Sequence, residues 1–165
     1  MKPKTVGRAQ GGMAAQTPSH ITGLMAQSIV LTRNGETPAG DIRPGDHVIT
    51  RDTGMAVVAA VRKRTLRAPA VTIAAGSLGD TRPDRDMTLP AGQPVLVRDW
   101  RAQALFGARQ AMVAAGQLID GEFIRDAGLI EMTLCEIIFE RDHVLYADGL
   151  EVGGHLAQPA VATAA

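Results

Sequence analysis

The segment that decides how this chain is read is Gly40-Asp41-Ile42-Arg43-Pro44-Gly45-Asp46-His47-Val48-Ile49-Thr50. Pro44-Gly45-Asp46 has the composition of a tight reversal, because proline fixes one backbone angle and glycine tolerates positive ones. The next four residues, His47 to Thr50, include β-branched side chains that favour a strand. A reversal that leads directly into a short strand is typical of a chain built from hairpins.

The same alternation of short strands and turns extends in both directions from this segment. Ser28 to Leu31 is a predicted strand, and the turn dipeptide Asn34-Gly35 follows it. A second turn dipeptide, Asp148-Gly149, joins the last two predicted strands. Further strands are predicted over residues 55–65, 71–74, 87–89, 95–98, 130–139, 143–147 and 150–152. The fold class is therefore mainly β.

Two short helical segments interrupt the strands. Asp99 is a predicted N-cap for a helix that carries Trp100, Ala104 and Leu105 on one side and ends at Gly107. A weaker helical turn is predicted over residues 114–119. In the strand over 130–139 the apolar alternation changes phase between Leu134 and Cys135, which indicates either a bulge or a strand covered on both faces.

Composition limits the classes of function. The 165 residues fit one domain, and the 17 basic and 17 acidic side chains cancel, so the field that attracts nucleic acid is missing. The longest apolar run, residues 55–61, is far shorter than the ~20 residues of a membrane helix. We therefore expect neither nucleic acid nor a membrane as a partner.

The single cysteine, Cys135, cannot form an intrachain disulfide, which fits a reducing compartment. Residues 9–20 are too polar for the core of an export signal, so we expect a cytoplasmic protein or one exported without a classical signal peptide. Three regions are predicted: a flexible arm over residues 1–22, a domain over 23–152 and a flexible tail over 153–165.

Four segments, taken in order, resemble the Hint domain family of hedgehog autoprocessing modules and inteins, and its compact bacterial branch in particular. They are residues 23–30, 40–50, 89–98 and 139–151, and the Pro-Gly-Asp segment is the most specific of them. The resemblance implies a compact β fold with strands related by a pseudo-twofold axis and one or two short helices. It also implies a chemistry of self-cleavage, in which the first residue attacks the carbonyl that precedes it.

Two groups that this chemistry needs are missing. The resemblance puts the family nucleophile, a Cys, Ser or Thr, at Gly23, which has no side chain. It puts the family histidine, which protonates the leaving nitrogen, at Gln93, and a glutamine cannot transfer a proton at neutral pH. Splicing would also require a C-terminal asparagine, but Asn34 is the only asparagine in the chain.

The fourth segment places Asp142 on a family histidine and His143 on the acidic residue beside it, so the order of the two is inverted. Adjacent residues of a strand point to opposite faces, and for this reason the two side chains are not expected to form a dyad with each other. We expect His143 to be a histidine at the edge of a turn.

Other reactive side chains have simpler interpretations. Thr22 and Ser19 could replace the missing nucleophile, but residues of an arm usually face solvent. Cys135 is expected to pack in the core as a small apolar residue. Asp84 and Asp86 could join His47 or His143 at a metal only if the fold assembled them, and a basic cluster, Arg62, Lys63, Arg64 and Arg67, is expected to be a solvated strand end.

The sequence thus predicts a Hint-like domain without autocatalysis that acts as a structural or interaction module, with no cofactor and no metal. The alternative is an active domain that performs an N-to-O acyl shift from Thr22 or Ser19, with His143 as the proton donor. The partner is unknown, and the resemblance alone allows a larger assembly.

Overall fold

The protein was studied as a computed structural model that describes residues 21–79 and 81–156. Most of this part is strand, which confirms the mainly β fold class. The strands are β1 (Leu24–Met25), β2 (Ile29–Thr32), β3 (Gly35–Pro38), β4 (His47–Thr50), β5 (Gly54–Val57), β6 (Ala60–Ile73), β7 (Met87–Pro90), β8 (Pro94–Val97), β9 (Ala111–Ala114), β10 (Ile124–Phe139), β11 (Val144–Ala147), β12 (Leu150–Gly153) and β13 (His155–Leu156).

The described strands form two sheets. In the first sheet the order is β1-β10-β6-β7, and β13 lies parallel to the end of β10. The antiparallel pair of β6 and β10 runs the length of both strands and is the backbone of this sheet. In the second sheet the order is β3-β2-β4-β11-β12-β8-β9, with β5 added to β4. All pairs in the second sheet are antiparallel.

A single large aliphatic cluster joins the two sheets. Its members come from the first sheet, as Ile73 and Ile137 do, and from the second, as Val48 and Leu145 do. Burial of aliphatic side chains on this scale is the main source of stability. The aromatic residue Phe139 belongs to the same cluster and is 1% exposed.

The change of phase at Leu134 and Cys135 reflects burial on both faces of β10, because both residues are completely buried. The one register shift of the β6–β10 pair lies elsewhere, between Asp126 and Gly128, where Gly128 has a φ of 79°. Of the two explanations that the sequence left open, the strand covered on both faces is therefore the one observed.

The helix α1 (Trp100–Phe106) has the predicted ends. The side chain of Asp99 accepts a hydrogen bond from the amide of Arg101, and Gly107 closes the helix in the left-handed conformation with a φ of 69°. The packed face differs from the apolar one that the sequence indicates, because Arg101 is buried while Trp100 is 67% exposed. Two 3-10 turns, Ala39–Asp41 and Ala115–Leu118, are also present, and the second replaces the helical turn predicted over 114–119.

Several strand boundaries differ from the sequence prediction. The strand predicted over 55–65 is split into β5 and β6, because Val58 exchanges backbone hydrogen bonds with the Gly45-Asp46 reversal and Ala59 bonds to Ile138. Strand pairing also continues beyond Val152, where the sequence analysis ended the domain. The open edge of β10 supplies backbone partners for β13, which contains His155.

Within the described ranges, the helices are all too short and too polar to cross a bilayer.

Candidate functional site

Gly23 and Gln93, which the sequence analysis placed at the family's nucleophile and histidine positions, lie in direct contact. The amide nitrogen of Gly23 donates a hydrogen bond of 2.8 Å to Oε1 of Gln93 in the interior of the protein. Gln93 is completely buried. Its backbone N–H donates a hydrogen bond to the carbonyl oxygen of Pro90, which fixes the turn between β7 and β8. The two positions therefore form one site.

The remaining polar atoms of Gln93 are satisfied as well. Nε2 donates to the carbonyl oxygen of Gly153 at 2.8 Å and to that of Pro94 at 3.1 Å. The backbone carbonyl accepts from the amide of Ala115 at 2.9 Å. Since a buried amide without partners is costly, this full set of bonds makes Gln93 a structural tie between the first strand and the last residues of the domain.

The backbone at Gly23 leaves no room for a side chain. Its φ is 135°, a conformation that residues with a Cβ rarely adopt. A Cβ atom built there would lie 3.1 Å from Cβ of Leu134 and 3.3 Å from the carbonyl oxygen of Cys135. A nucleophilic residue at position 23 would therefore strain the backbone and would press on Leu134 and on the Cys135 carbonyl.

A second group of contacting polar side chains lies next to Gly23 and was not predicted from the sequence. The hydroxyl of Thr22 contacts Nε2 of His155 through a short hydrogen bond. The same Nε2 lies 3.3 Å from Oε2 of Glu136 on β10. The sequence analysis paired Thr22 with His143 as proton donor and assigned His155 to a tail, because no local pattern signals the parallel pairing of β13 that brings His155 here.

Glu136 is 2% exposed and collects the positive charges around it. Its oxygens pair with Arg62 and, at 3.5 Å, with Arg64, which occupy the same face of β6. Two members of the basic cluster thus pair with a buried carboxylate, while the Arg62 side chain itself remains 62% exposed, as expected for a solvated strand end. Burial lowers the pKa of His155, and Arg62 and Arg64 lower it further, although the Glu136 charge opposes them. The imidazole is consequently neutral at pH 7.

His143 has a carboxylate partner that the sequence did not predict. Its Nδ1 lies 2.8 Å from Oδ2 of Asp52, and the other oxygen of Asp52 accepts the amide of Val144 at 3.0 Å. The ring meets Phe139 edge-on at 5.2 Å between centroids. Asp142 is exposed and has no part in this arrangement within the described residues.

A backbone hydrogen bond connects His143 to the segment that Gln93 binds. The carbonyl of His143 accepts a hydrogen bond from the amide of Gly154, the residue that follows the Gln93 partner Gly153. A surface cavity lined by His143, Asp142 and Pro94 lies at this point. Asp142 and His143 therefore share a cavity with Pro94 and Gly153, whose carbonyls accept hydrogen bonds from Gln93, but no side-chain contact joins them to Gln93 in the described residues.

The other candidates are accounted for by packing or by turns. Cys135 is buried in the core, and this burial raises the pKa of its thiol. Asp86 accepts the amide of Ala75, and Asp84 is an exposed turn residue whose amide bonds to Asp148. Residues 21–79 and 81–156 contain no cluster of three His, Cys, Asp or Glu side chains arranged to hold a metal. Ser19 lies outside the described residues.

A second buried carboxylate was also missed. Glu151 on β12 is 2% exposed and pairs with three arginines, since it lies 2.7 Å from Arg82, 2.7 Å from Arg98 and 2.8 Å from Arg51. These arginines come from different segments of the chain, which Glu151 holds together. The role of this cluster is structural.

Comparison with known proteins identifies the fold. The family model described as Hint domain matches residues 22–157. The bacterial intein-like domain from Clostridium thermocellum is similar with a TM-score of 0.55 and 16% identity, over 82% of this chain and 99% of that one. A DnaB intein from Synechocystis gives a TM-score of 0.54 and 11% identity, over 81% and 99%.

The zinc-bound splicing domain of the Msm DnaB1 intein is similar to a comparable degree, with a TM-score of 0.53 and 16% identity over 80% of this chain and 98% of that chain. At these identities the structural likeness establishes the fold and nothing more. A comparison with curated proteins gave no match.

Proposed function

We propose that this chain, which belongs to the Hint domain family, is a structural or interaction module that does not cleave its own backbone at the family's position. The proposal is supported by what occupies the two positions that the family's reaction needs. Gly23 offers no nucleophile, and Gln93 offers no transferable proton.

The polarity of the Gly23–Gln93 hydrogen bond carries this proposal. In the family's reaction the nitrogen of residue 23 is the leaving group, and it must gain a proton as the bond to residue 22 breaks. Here that nitrogen donates its hydrogen to the Oε1 acceptor of Gln93. An acceptor at this point stabilises the intact amide and supplies nothing to a departing amine.

The contacts of Gln93 also suggest what the site does instead. One side chain bonds to Gly23 at the start of the domain and to Gly153 near its end. A module inserted between other segments benefits from this arrangement, because the points of entry and exit are held together through a buried residue.

The proposal is tested by intact-mass measurement of the full chain after prolonged incubation at pH 6 to 8, with and without a thiol or hydroxylamine. We expect one species of unchanged mass under every condition. Release of a fragment that ends at Thr22 would overturn the proposal.

The contact between Thr22 and His155 favours a second candidate, an N-to-O acyl shift one residue earlier. The Oγ1 of Thr22 would attack the carbonyl carbon of Ile21, and the neutral imidazole of His155 would accept the hydroxyl proton. The protonated imidazole would pass this proton to the Thr22 nitrogen, the C–N bond between Ile21 and Thr22 would break to give a free amine, and an ester between the Ile21 carbonyl carbon and Oγ1 of Thr22 would form. Water would then hydrolyse the ester and release residues 1–21.

This candidate predicts a different fragment, so the same mass measurement separates the two. Cleavage after Ile21 that disappears in Thr22→Ala and His155→Gln but persists in Thr22→Ser would establish it. An intact chain, or cleavage that survives both substitutions, would reject it.

A further inference from the structure

An open cavity lies between the start of α1 and the segment that precedes β10, and it is lined by the two most exposed aromatic residues. Trp100 and Phe123 both line it, and they are 67% and 51% exposed. The chain has only five aromatic residues, so the exposure of two of them around one cavity of about 470 Å³ is unusual. Exposed aromatic side chains grouped in this way are typical of interaction sites.

The walls of this cavity are fixed before any ligand arrives. Oδ1 of Asp120 accepts hydrogen bonds from the amides of Glu122, Phe123 and Ile124, at 2.8, 3.0 and 3.0 Å. On the other wall, α1 is capped at both ends. Rigid walls reduce the entropy lost on binding, and so favour a ligand that fits them.

A buried cation ties the two walls together. The guanidinium of Arg101, whose side chain is 8% exposed, bonds to Asp99 and lies 3.8 Å from Asp120. It also sits 4.9 Å from the centroid of the Trp100 ring. Arg101 therefore explains why Trp100 projects from the surface in a defined orientation.

Charge in the cavity selects for a cation. Asp120 and Glu122 outnumber Arg101 among the lining residues, so the net charge there is negative. Across the two described ranges no cation pairs with the exposed carboxylate of Glu122. The hydroxyl of Ser77, also in the lining, is buried and has no hydrogen-bond partner in the described part of the chain.

We propose that this cavity binds a lysine or arginine side chain from a segment of a partner protein. The alkyl stem would pack against Trp100 and Phe123, and the charged head would meet the Glu122 carboxylate. The proposal is independent of self-cleavage, because none of these residues belongs to the Gly23–Gln93 pair or to the Thr22–His155 contact.

The test uses the fluorescence of Trp100, the only tryptophan in the chain. The full-length protein is titrated at low salt with the peptide acetyl-AKAAKA-amide and with its glutamate twin, acetyl-AEAAEA-amide. We expect a saturable change in emission with the lysine peptide and none with the twin. Added salt should weaken the binding, since the contact is partly electrostatic.

Two variants locate the binding site. Glu122→Gln should lower the affinity for the lysine peptide about threefold, and Phe123→Ala should lower it about tenfold. Glu140→Gln is the control and should leave the affinity unchanged, because Glu140 is exposed and does not line the cavity. Circular dichroism confirms that each variant is folded.

Three results would overturn the proposal. They are an equal response to both peptides, binding that neither Glu122→Gln nor Phe123→Ala weakens, and no saturable response at all. A Trp100 emission that depends on protein concentration without peptide, together with a dimer in sedimentation, would identify a second copy of the chain as the occupant instead.

Discussion

The amide nitrogen of Gly23 lies 2.8 Å from Oε1 of Gln93, and the carbonyl oxygen of Gly153 lies 2.8 Å from Nε2 of the same side chain. One buried amide thus bridges two backbone segments that are 130 residues apart, since 153 minus 23 is 130. The stability of the domain should depend on this bridge.

Replacing Gln93 by leucine, which has a similar volume, should leave the Gly23 N–H buried without its acceptor and remove the Nε2 donor from the partly buried Gly153 C=O. We expect a loss of about 2 to 4 kcal/mol in the free energy of unfolding, measured by urea denaturation. Gln117→Leu is the matched control, because Gln117 is exposed and accepts only the Ala114 amide, at 3.2 Å. A loss no greater than in this control would contradict the structural role of Gln93.

Substitution of Gly23 by alanine should be destabilising for two reasons that can be separated. The backbone conformation is strained for any Cβ, and the new atom would press on Leu134 and Cys135. Gly35→Ala carries the strain alone, because Gly35 also has a positive φ but open space around it. We expect a loss of about 1 to 3 kcal/mol for Gly23→Ala, larger than for Gly35→Ala, and equal losses would disprove the packing contribution.

Restoring the family residues tests whether the chemistry can return. Gly23→Cys alone should not cleave efficiently, because Gln93 supplies no proton, and Gln93→His alone lacks a nucleophile. The double variant should release more of residues 1–22 than either single variant, as measured by intact mass in the presence of a thiol. No release from any of the three would show that further groups needed for the reaction have been lost, and it would leave the fold assignment unchanged.

His155 should make the stability of the protein depend on pH in a defined window. Burial lowers the pKa of His155 in the folded protein from its ordinary value of 6.5, so the unfolded chain binds the proton more tightly. The free energy of unfolding should therefore fall as the pH drops below about 6.5, until the folded pKa is reached. His155→Gln should flatten this slope, and an unchanged slope in the variant would assign it to other groups.

The carboxylate of Glu151 should be essential to the arginine cluster. Glu151→Gln removes the charge but keeps the shape, so Arg51 and Arg98 lose the carboxylate that they share, and Arg82 loses one of its contacts. Because these arginines are partly exposed, we expect a loss of about 2 to 4 kcal/mol in urea denaturation. Glu140→Gln, on the surface, should cost less than about 0.5 kcal/mol.

The buried thiol gives a final check on the core. Burial raises the pKa of Cys135, so little thiolate forms at neutral pH, and the side chain is inaccessible. A disulfide reagent should react with Cys135 much more slowly in the native protein than in urea. Rapid labelling of the folded protein would show that this part of β10 opens.

The local features of the fold were predictable because neighbouring residues determine them. Asp99 and Gly107 define the ends of α1, and Asp148-Gly149 adopts the turn with positive φ at both residues that its composition favours. The pairing of Gly23 with Gln93 followed from the resemblance to the family. The composition of the segments around Gly23 and Gln93 does not by itself predict this contact.

The rest of the site depends on contacts between distant residues, which no local pattern signals. His155 reaches Thr22 only because the edge of β10 accepts β13, and His143 finds Asp52 only because the β4–β5 hairpin lies beside it. The exposure of Trp100 on α1 could not be predicted either, because the Arg101 side chain is buried in place of the apolar side of the helix.

The strand β10 contacts both the Gly23–Gln93 site and the Thr22–His155 site. Leu134 and Cys135 pack against Gly23, and Glu136 pairs with His155. A substitution at position 23 consequently presses on β10 directly, and a change at His155 alters the surroundings of a carboxylate on the same strand. One strand thus restricts what can stand at the two neighbouring sites, so neither site is independent of the core beneath it.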